Sequence, residues 1–280
     1  MTAPIFIKDV WPDPHFKKIG EHFDLCSRAQ LAEDRKALAA ELSSLTSFYV
    51  ICFTNRCGSN HLAQCLASDG RLLQAGEVLN EEAVINNALK HGFTSFDQYL
   101  TWLIRTQKGA HGVFGLKASA GQLLGLYNQG ILELLGPRLK LIHSFRREVM
   151  AQAVSLFIAS KTKRWTSTQT AQAGEDAVKY NSIELMAIAN SICHQNALLT
   201  LLFNVMQLDA VKVPYDKLVE EPEKVVRRLG RQLGVPQLRL VSTNLAYQKQ
   251  ADALNDRLLM QLAADHSLGG TGAPPPMPEP

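Results

Sequence analysis

The sequence lacks the features that mark several large protein classes. Its five cysteines include no C-x-x-C pair, so neither a disulfide framework nor a zinc site is indicated. No apolar run approaches the roughly 18 residues of a membrane-spanning helix, and residues 1–9 have no signal-peptide core. A net charge of +3 is too small to suggest a nucleic-acid-binding protein. We therefore expect an ordinary globular protein of the reducing cytoplasm, without a metal site.

What the sequence does contain is a strand, a small-residue loop and a helix in direct succession. Residues 48–53 (FYVICF) are continuously apolar, which is typical of a strand buried on both faces. The loop 54–60 (TNRCGSN) follows, and residues 61–66 have apolar side chains at helical spacing. Such a loop directs backbone N–H groups and the positive end of the helix at one point, which favours an anion, most often phosphate. Arg56 adds a fork-shaped positive charge.

This stretch also fits other interpretations. The Walker A pattern is absent, because Gly58 is followed by Ser59 and Asn60 and not by lysine, so an ordinary ATPase or GTPase is disfavoured. A plain strand–helix turn with an exposed arginine fits nearly as well as an anion site. Ser59 could also serve as the N-cap of the helix. Cys57 could be a small residue that fills space in the loop, or it could be a reactive thiol.

Strands and helices alternate along the remaining chain. Further strands are predicted at 71–74, 112–118, 139–145 and 210–214. Helices are predicted at 26–45, from 77 onward, and at 95–106, 122–135, 148–160, 180–206 and 222–233. This alternation implies an α/β fold of three layers, with a mainly parallel central sheet flanked by helices. We expect residues 1–46 to form an N-terminal arm and helix, with 1–20 irregular, residues 47–266 the α/β domain, and residues 267–280 a disordered tail.

The strand–loop–helix stretch resembles the 5′-phosphosulfate loop of sulfotransferases that use 3′-phosphoadenosine 5′-phosphosulfate (PAPS). In particular, it resembles the loop of the bacterial trehalose 2-sulfotransferase family, which carries arginine at the position of Arg56. Residues 112–117 (GVFGLK) resemble the family's second strand-like segment, and residues 248–252 (QKQAD) resemble its R-Q-A-D segment. Arg146 and Ser155 resemble its 3′-phosphate pair. The similarity spans residues 47–260. Finding all four segments in the same order as in the family is far more specific evidence than any one segment alone.

The resemblance implies a P-loop-like fold and transfer of a sulfuryl group from PAPS to a hydroxyl, giving PAP and a sulfate ester. Arg56 would stabilise the leaving group. The donor-binding residues that it implies are Arg56, Cys57, Gly58, Ser59, Asn60, Arg146, Ser155 and Lys249. Lys249 stands where the family has arginine, so it keeps the charge and loses bidentate recognition. The resemblance also implies a carbohydrate or glycolipid acceptor and a homodimer.

The general base is where the chain departs from the family. The family's base is the second glutamate of a segment A-G-E-x-x-E, and in residues 75–80 (AGEVLN) that position holds Asn80. Asparagine cannot accept the acceptor's proton, so Glu77 is the first candidate for the base and Glu81 the second. A second interpretation of Glu77 is almost as good: it is an acidic residue in the first turn of a helix, where the helix dipole stabilises a negative charge.

Two other functions share these features. A P-loop-type nucleotide kinase would share the strand–loop–helix, although it would need the Walker lysine. A catalytically impaired relative would keep the PAP or PAPS site and lack the base. Near the loop, His61 is a further candidate for the base, although a histidine in the first helical turn beside an anion loop is more often an anion donor. Lys117 either faces the donor or acceptor or is a charge at the strand edge. Arg147, at the position of a family proline, is expected to be a surface charge.

Overall fold

The computed structural model describes residues 14–23, 27–165, 178–245 and 253–268. The chain divides into two compact units, residues 1–147 with 195–245 and residues 148–194 with 246–280. The predictions for Lys249, for the segment 248–252 and for residues 269–280 of the tail lie outside the described residues, whereas residues 267 and 268 belong to a helix.

A four-stranded, all-parallel sheet forms the centre of the first unit. Its strands are β1 Ser47–Phe53, β2 Val113–Ala118, β3 Leu139–Phe145 and β4 Ala210–Pro214, in the order β2-β1-β3-β4. The predicted α/β fold with a parallel sheet is confirmed. Because the strands are parallel, their carboxyl ends meet at one edge of the sheet, where open α/β sheets bind ligands.

Both faces of β1 are buried, as its uninterrupted apolar sequence predicts. Phe48, Val50 and Cys52 belong to one apolar core, whereas Tyr49 and Ile51 belong to another. Successive side chains of a strand point to opposite faces, so these two cores lie on the two sides of the sheet. Helices contribute to both cores, which gives the three layers that the alternation of elements predicted.

Helices make up most of the remaining described chain. In chain order they are α1 Pro14–Phe23, α2 Arg28–Ser43, α3 Ser59–Ala67, α4 Glu81–His91, α5 Phe96–Gln107, α6 Ala120–Asn128, α7 Ile131–Leu135, α8 Val149–Thr162, α9 Ser182–Val205, α10 Tyr215–Glu220, α11 Pro222–Gln232 and α12 Ala253–Leu268. Short 3-10 turns lie at Gly136–Arg138 and Ser242–Asn244. The helices predicted at 95–106, 148–160, 180–206 and 222–233 are confirmed with small shifts at their ends.

The strand predicted at residues 71–74 is wrong. This segment is irregular, and a single parallel bridge joins Gly76 to Leu116 instead. Leu72 is buried, but the side chain of Leu73 is 49% exposed. A segment with one buried apolar side chain gains little from adding to the edge of the sheet, and this one serves as a connection.

Helix boundaries differ from the prediction in three places. The helix predicted from residue 77 begins at Glu81, with Asn80 as its N-cap. Residues 14–20, predicted to be irregular, are helical in α1. The helix predicted over 122–135 is two helices, α6 and α7, separated at Gly130. Gly130 has a φ of +71°, a conformation that glycine adopts readily and that does not continue a helix.

Helix α9 is long and apolar enough to cross a membrane by length and composition alone, with a mean hydropathy of 1.3 over its most apolar 18 residues, of which 28% are buried. A core helix of a globular protein passes the same criterion. The buried side chains of α9 belong to the apolar cores, namely Leu185, Ala189, Ile192, Leu199, Leu202 and Phe203.

The second glycine of the GVFGLK segment is explained by packing across the sheet. Gly115 pairs with Tyr49, and a Cβ added to it would lie 2.0 Å from Tyr49 Cζ. We expect Gly115→Ala to lower the free energy of unfolding by about 1–3 kcal/mol, the usual cost of overpacking a core. Gly20→Ala is the control, because nothing lies within 4 Å of that Cβ and alanine favours a helix. Equal urea midpoints for the two variants would contradict this account.

Candidate active site

The loop between β1 and α3 has an unusual backbone conformation. Arg56 has a φ of +66° and Gly58 a φ of +92°, both in the left-handed region. For a residue other than glycine this conformation costs roughly 1–2 kcal/mol, and such strained residues cluster at functional sites. Left-handed residues in a turn expose consecutive N–H groups in a concavity that binds anions. The geometry of this loop, residues 54–60, is one that can bind an anion, as the sequence predicts, and we call it the anion loop.

Tyr215 links this loop to the end of β3. Its ring packs against Gly58, because a Cβ added to Gly58 would lie 2.3 Å from Tyr215 Cδ2. The guanidinium of Arg146 lies 5.2 Å from the centroid of the same ring, within the range of a cation–π contact. The ring therefore holds Arg146 beside the anion loop. We did not predict Tyr215; the available signal was its position directly after the last residue of β4, at the carboxyl edge.

A buried lysine joins the other side of the loop to β2. Lys117 is 2% exposed, so it is not an exposed charge at the strand edge. Its Nζ donates to Oδ1 of Asn60 and, over 2.7 Å, to Oε1 of Glu77. It also lies 5.0 Å from the centroid of the Phe53 ring. A charged lysine so deeply buried requires partners, and here one of them belongs to the anion loop.

Glu77 and Glu81, the two candidates for the base, have different surroundings. Glu77 pairs with Lys117 and keeps 37% of its side chain exposed. It precedes α4, so the alternative that it is an acid of the first helical turn is wrong. Glu81 is the first residue of α4 and forms an ion pair of 3.1 Å with Lys18 of α1. Of the two, Glu77 is the one joined through Lys117 to the anion loop.

Two alternatives for loop residues are decided by the structure. Gly58, and not Ser59, is the N-cap of α3, and Ser59 is its first residue. Cys57 is fully buried, its Sγ lies 3.6 Å from Ser144 Oγ, and burial raises the pKa of its thiol, so it is a loop filler and not a reactive thiol. Burial also lowers the pKa of His61, because it disfavours the charged form of the ring.

The buried thiols lead to a labelling prediction. We expect alkylation of the native protein to modify Cys193, which is exposed, and to spare Cys57. Burial removes access to the Cys57 thiol and disfavours its thiolate, the reactive form. Peptide mapping by mass spectrometry measures both sites at once, and urea-unfolded protein is the control in which both react. Rapid labelling of Cys57 in the native protein would contradict the loop geometry.

The profile of the Stf0 sulphotransferase family matches residues 48–264 of the chain. The chain belongs to the Stf0 sulphotransferase family. The resemblance inferred from the sequence is thereby confirmed, and the chain is a sulfotransferase. Among solved structures, a crystal structure of a sulfotransferase from Alicyclobacillus acidocaldarius is similar, with 16% sequence identity, a TM-score of 0.45, and coverage of 78% of this chain and 92% of that one. No curated protein matches the chain.

The matched region of this Stf0 sulfotransferase includes the remaining predicted residues of the donor site. Ser155 is half-buried on α8, in the second unit, and its role stays a prediction. Arg147 is exposed and forms an ion pair with Asp216, as expected of a surface charge. Among the described residues, no group of three or more His, Cys, Asp or Glu side chains is placed to hold a metal ion.

Proposed function

We propose that this sulfotransferase moves a sulfuryl group from PAPS to a hydroxyl of a carbohydrate or glycolipid acceptor. The sulfur–oxygen bond of the phosphosulfate breaks, a new one forms to the acceptor oxygen, and PAP leaves with the electron pair. The observation that supports this best is the anion loop at the carboxyl edge of the sheet. There Arg56 stands in the loop, Lys117 binds Asn60, and Arg146 stacks on the tyrosine ring that packs against Gly58.

The donor is charged at both ends, and the basic groups of the first unit would bind both. Arg56 and Lys117 would bind the 5′-phosphosulfate and stabilise charge on the leaving oxygen. Arg146 would bind the 3′-phosphate, with Ser155 and Lys249 as the further contacts that the family resemblance implies. The loop residues would contribute in different ways. Gly58, Ser59 and Asn60 would donate hydrogen bonds, whereas Cys57, with its side chain turned inward, would contribute only its backbone and the shape of the loop.

We propose Glu77 as the general base. Its carboxylate is partly exposed and is joined to the anion loop through Lys117, so an acceptor hydroxyl can approach it beside the donor. A positioned base contributes about 10²–10⁴ in rate. Glu81 is the second candidate, but its carboxylate is engaged by Lys18. We further propose that the protein is cytoplasmic, as its cysteine usage suggests, and that it is a homodimer, as the family resemblance suggests. Sedimentation equilibrium tests the dimer directly.

The first experiment measures binding of PAP by calorimetry. We expect micromolar affinity, weakened by more than about 1.5 kcal/mol in Arg146→Ala, the scale of a charge-assisted hydrogen bond. Arg56→Asn should weaken binding similarly, and asparagine tolerates the positive φ at this position. Arg147→Ala is the matched control, since it removes the neighbouring arginine, which is exposed and pairs with Asp216.

The other outcomes separate the alternatives. Tight PAP binding without turnover on any hydroxyl acceptor would identify a catalytically impaired relative. Binding of Mg²⁺–ATP with no affinity for PAP would overturn the proposal in favour of a nucleotide kinase. Equal losses in Arg146→Ala and Arg147→Ala would show that the 3′-phosphate contact is not at Arg146.

A further inference from the structure

A chain of side-chain amides leads from the start of α6 to Glu77. Gln122 is 5% exposed and is the N3 residue of a capping box with Ser119. The backbone N–H of Ser119 donates to Gln122 Oε1 over 2.9 Å. Gln122 Nε2 lies 3.0 Å from Asn80 Oδ1, and Asn80 Nδ2 lies 3.4 Å from Glu77 Oε2. We call Gln122, Asn80 and Glu77 the amide relay.

The direction of each hydrogen bond in the relay follows from its first member. A backbone N–H can only donate, so Gln122 must present its oxygen to Ser119 and its NH₂ group to Asn80. Asn80 must then accept with its oxygen and donate its NH₂ group to Glu77. Glu77 consequently receives one donor at each carboxylate oxygen, Asn80 at Oε2 and Lys117 at Oε1.

We propose that Gln122 is a positioning residue, which acts through Asn80 to orient the carboxylate of Glu77 beside the anion loop. This inference rests on the proposed function for its catalytic meaning, but the relay itself does not depend on that function. It also gives Asn80 a role. A carboxylate at position 80 could accept from Gln122 but could not donate to Glu77, and two carboxylates would then face each other.

The side chain of Asn80 is exposed to solvent, and helix capping does not compete for it. Asn80 is the N-cap of α4, yet its side chain makes no capping hydrogen bond. Asparagine is one of the favoured N-cap residues. Because the Asn80 side chain bonds to Glu77 and Gln122 instead, α4 lacks the stabilisation that an N-cap hydrogen bond would give. The charged groups on the surrounding elements include Lys117 on β2, Arg56 in the loop, Glu81 with its partner Lys18, and Glu82 in the first turn of α4.

Gln122→Glu tests the relay without disturbing the helix. Glutamate serves a capping box as well as glutamine, because its oxygen still accepts from Ser119. It cannot donate, however, so the amide of Asn80 must turn its NH₂ group toward position 122 and its oxygen toward Glu77. If Gln122 served only to cap the helix, this substitution would leave the orientation of the Asn80 side-chain amide unchanged.

The readout is the side-chain amide resonance of Asn80 in ¹⁵N-labelled protein, identified by its loss in Asn80→Ala. In the wild type we expect its chemical shift to change as Glu77 takes up a proton, and we expect Glu77→Gln to abolish that response. In Gln122→Glu the Asn80 amide donates to the new carboxylate, so its chemical shift should follow that carboxylate, and adding Glu77→Gln should no longer abolish the response. In Gln129→Glu, which adds the same charge at the exposed C-terminal end of α6, Glu77→Gln should abolish the response as it does in the wild type. A response of Gln122→Glu that Glu77→Gln still abolishes overturns the proposal.

The catalytic consequence is measured separately. With an acceptor in hand, Gln122→Glu should move the low-pH limb of kcat/KM upward by about one pH unit, the scale on which an unfavourable neighbour displaces the protonation of a carboxylate. Asn80→Asp should move it in the same direction. In an Asn80→Ala background, Gln122→Glu should move it little. Absence of PAP binding by the wild type would instead reject the proposed function and leave the amide result standing.

Discussion

Lys117→Met is expected to lower the kcat for sulfuryl transfer by about 10²–10³, the range seen when one donor is removed from a developing anion. The ammonium of Lys117 contacts Asn60 of the anion loop and Glu77, so its removal takes away a positive charge and releases two side chains. Methionine nearly preserves the volume of the apolar stem, so the effect reports on charge and not on packing.

Stability should respond less than activity in this variant. Breaking a fully buried ion pair costs about 3–5 kcal/mol, but Glu77 is 37% exposed and water can solvate it once the lysine is gone. Lys224→Met is the matched control, because that lysine also pairs with a glutamate, at 3.0 Å, but its side chain is 79% exposed. Steady-state kinetics and urea denaturation of both variants are the measurements. Activity of Lys117→Met close to that of the wild type would contradict our assignment of this residue.

Gly58→Ala should have the second largest effect, through the shape of the anion loop. Two costs combine at this position: a φ of +92°, which alanine tolerates poorly, and a Cβ only 2.3 Å from the ring of Tyr215. The ring or the loop must therefore move, and Arg146, which stacks on that ring, moves with it. We expect PAP affinity to fall at least tenfold, about 1.4 kcal/mol.

Gly70→Ala separates the two costs. Gly70 also has a positive φ, +77°, but nothing lies within 4 Å of its added Cβ. It should therefore show the backbone cost alone, about 1–2 kcal/mol of stability, with no effect on PAP binding. In a Tyr215→Leu background, the additional cost of Gly58→Ala should shrink, because a smaller side chain relieves the clash. A loss of affinity that persists unchanged there would show that the clash with Tyr215 is not its cause.

Much of the architecture could be predicted because it depends on local sequence. The apolar residues 48–53 cannot be solvated on either face, so they form a central strand, and the alternation of elements implies the parallel sheet. The anion loop was predictable for the same reason, since strand, loop and helix are contiguous. The irregular segment 71–74 was not, because a short apolar segment becomes a strand only where an edge of the sheet can bury it.

The contacts that make the loop a candidate catalytic site join residues far apart in the chain. Lys117 is 57 residues from Asn60 and 40 from Glu77, and Gln122 is 42 from Asn80. No local pattern indicates whether a lysine near a strand end is solvated or buried with a glutamate, because that depends on what the packed helices exclude from water.

The sequence by itself therefore determined the family, the parallel sheet and the position of the anion loop, since each follows from apolar periodicity and motifs within short segments. Only the tertiary structure decided that Cys57 turns inward, that Tyr215 packs on Gly58, and that the amide relay ends on Glu77. The reason is physical. Burial and hydrogen-bond direction are properties of groups brought together by folding, and they do not exist until the strands and helices have packed.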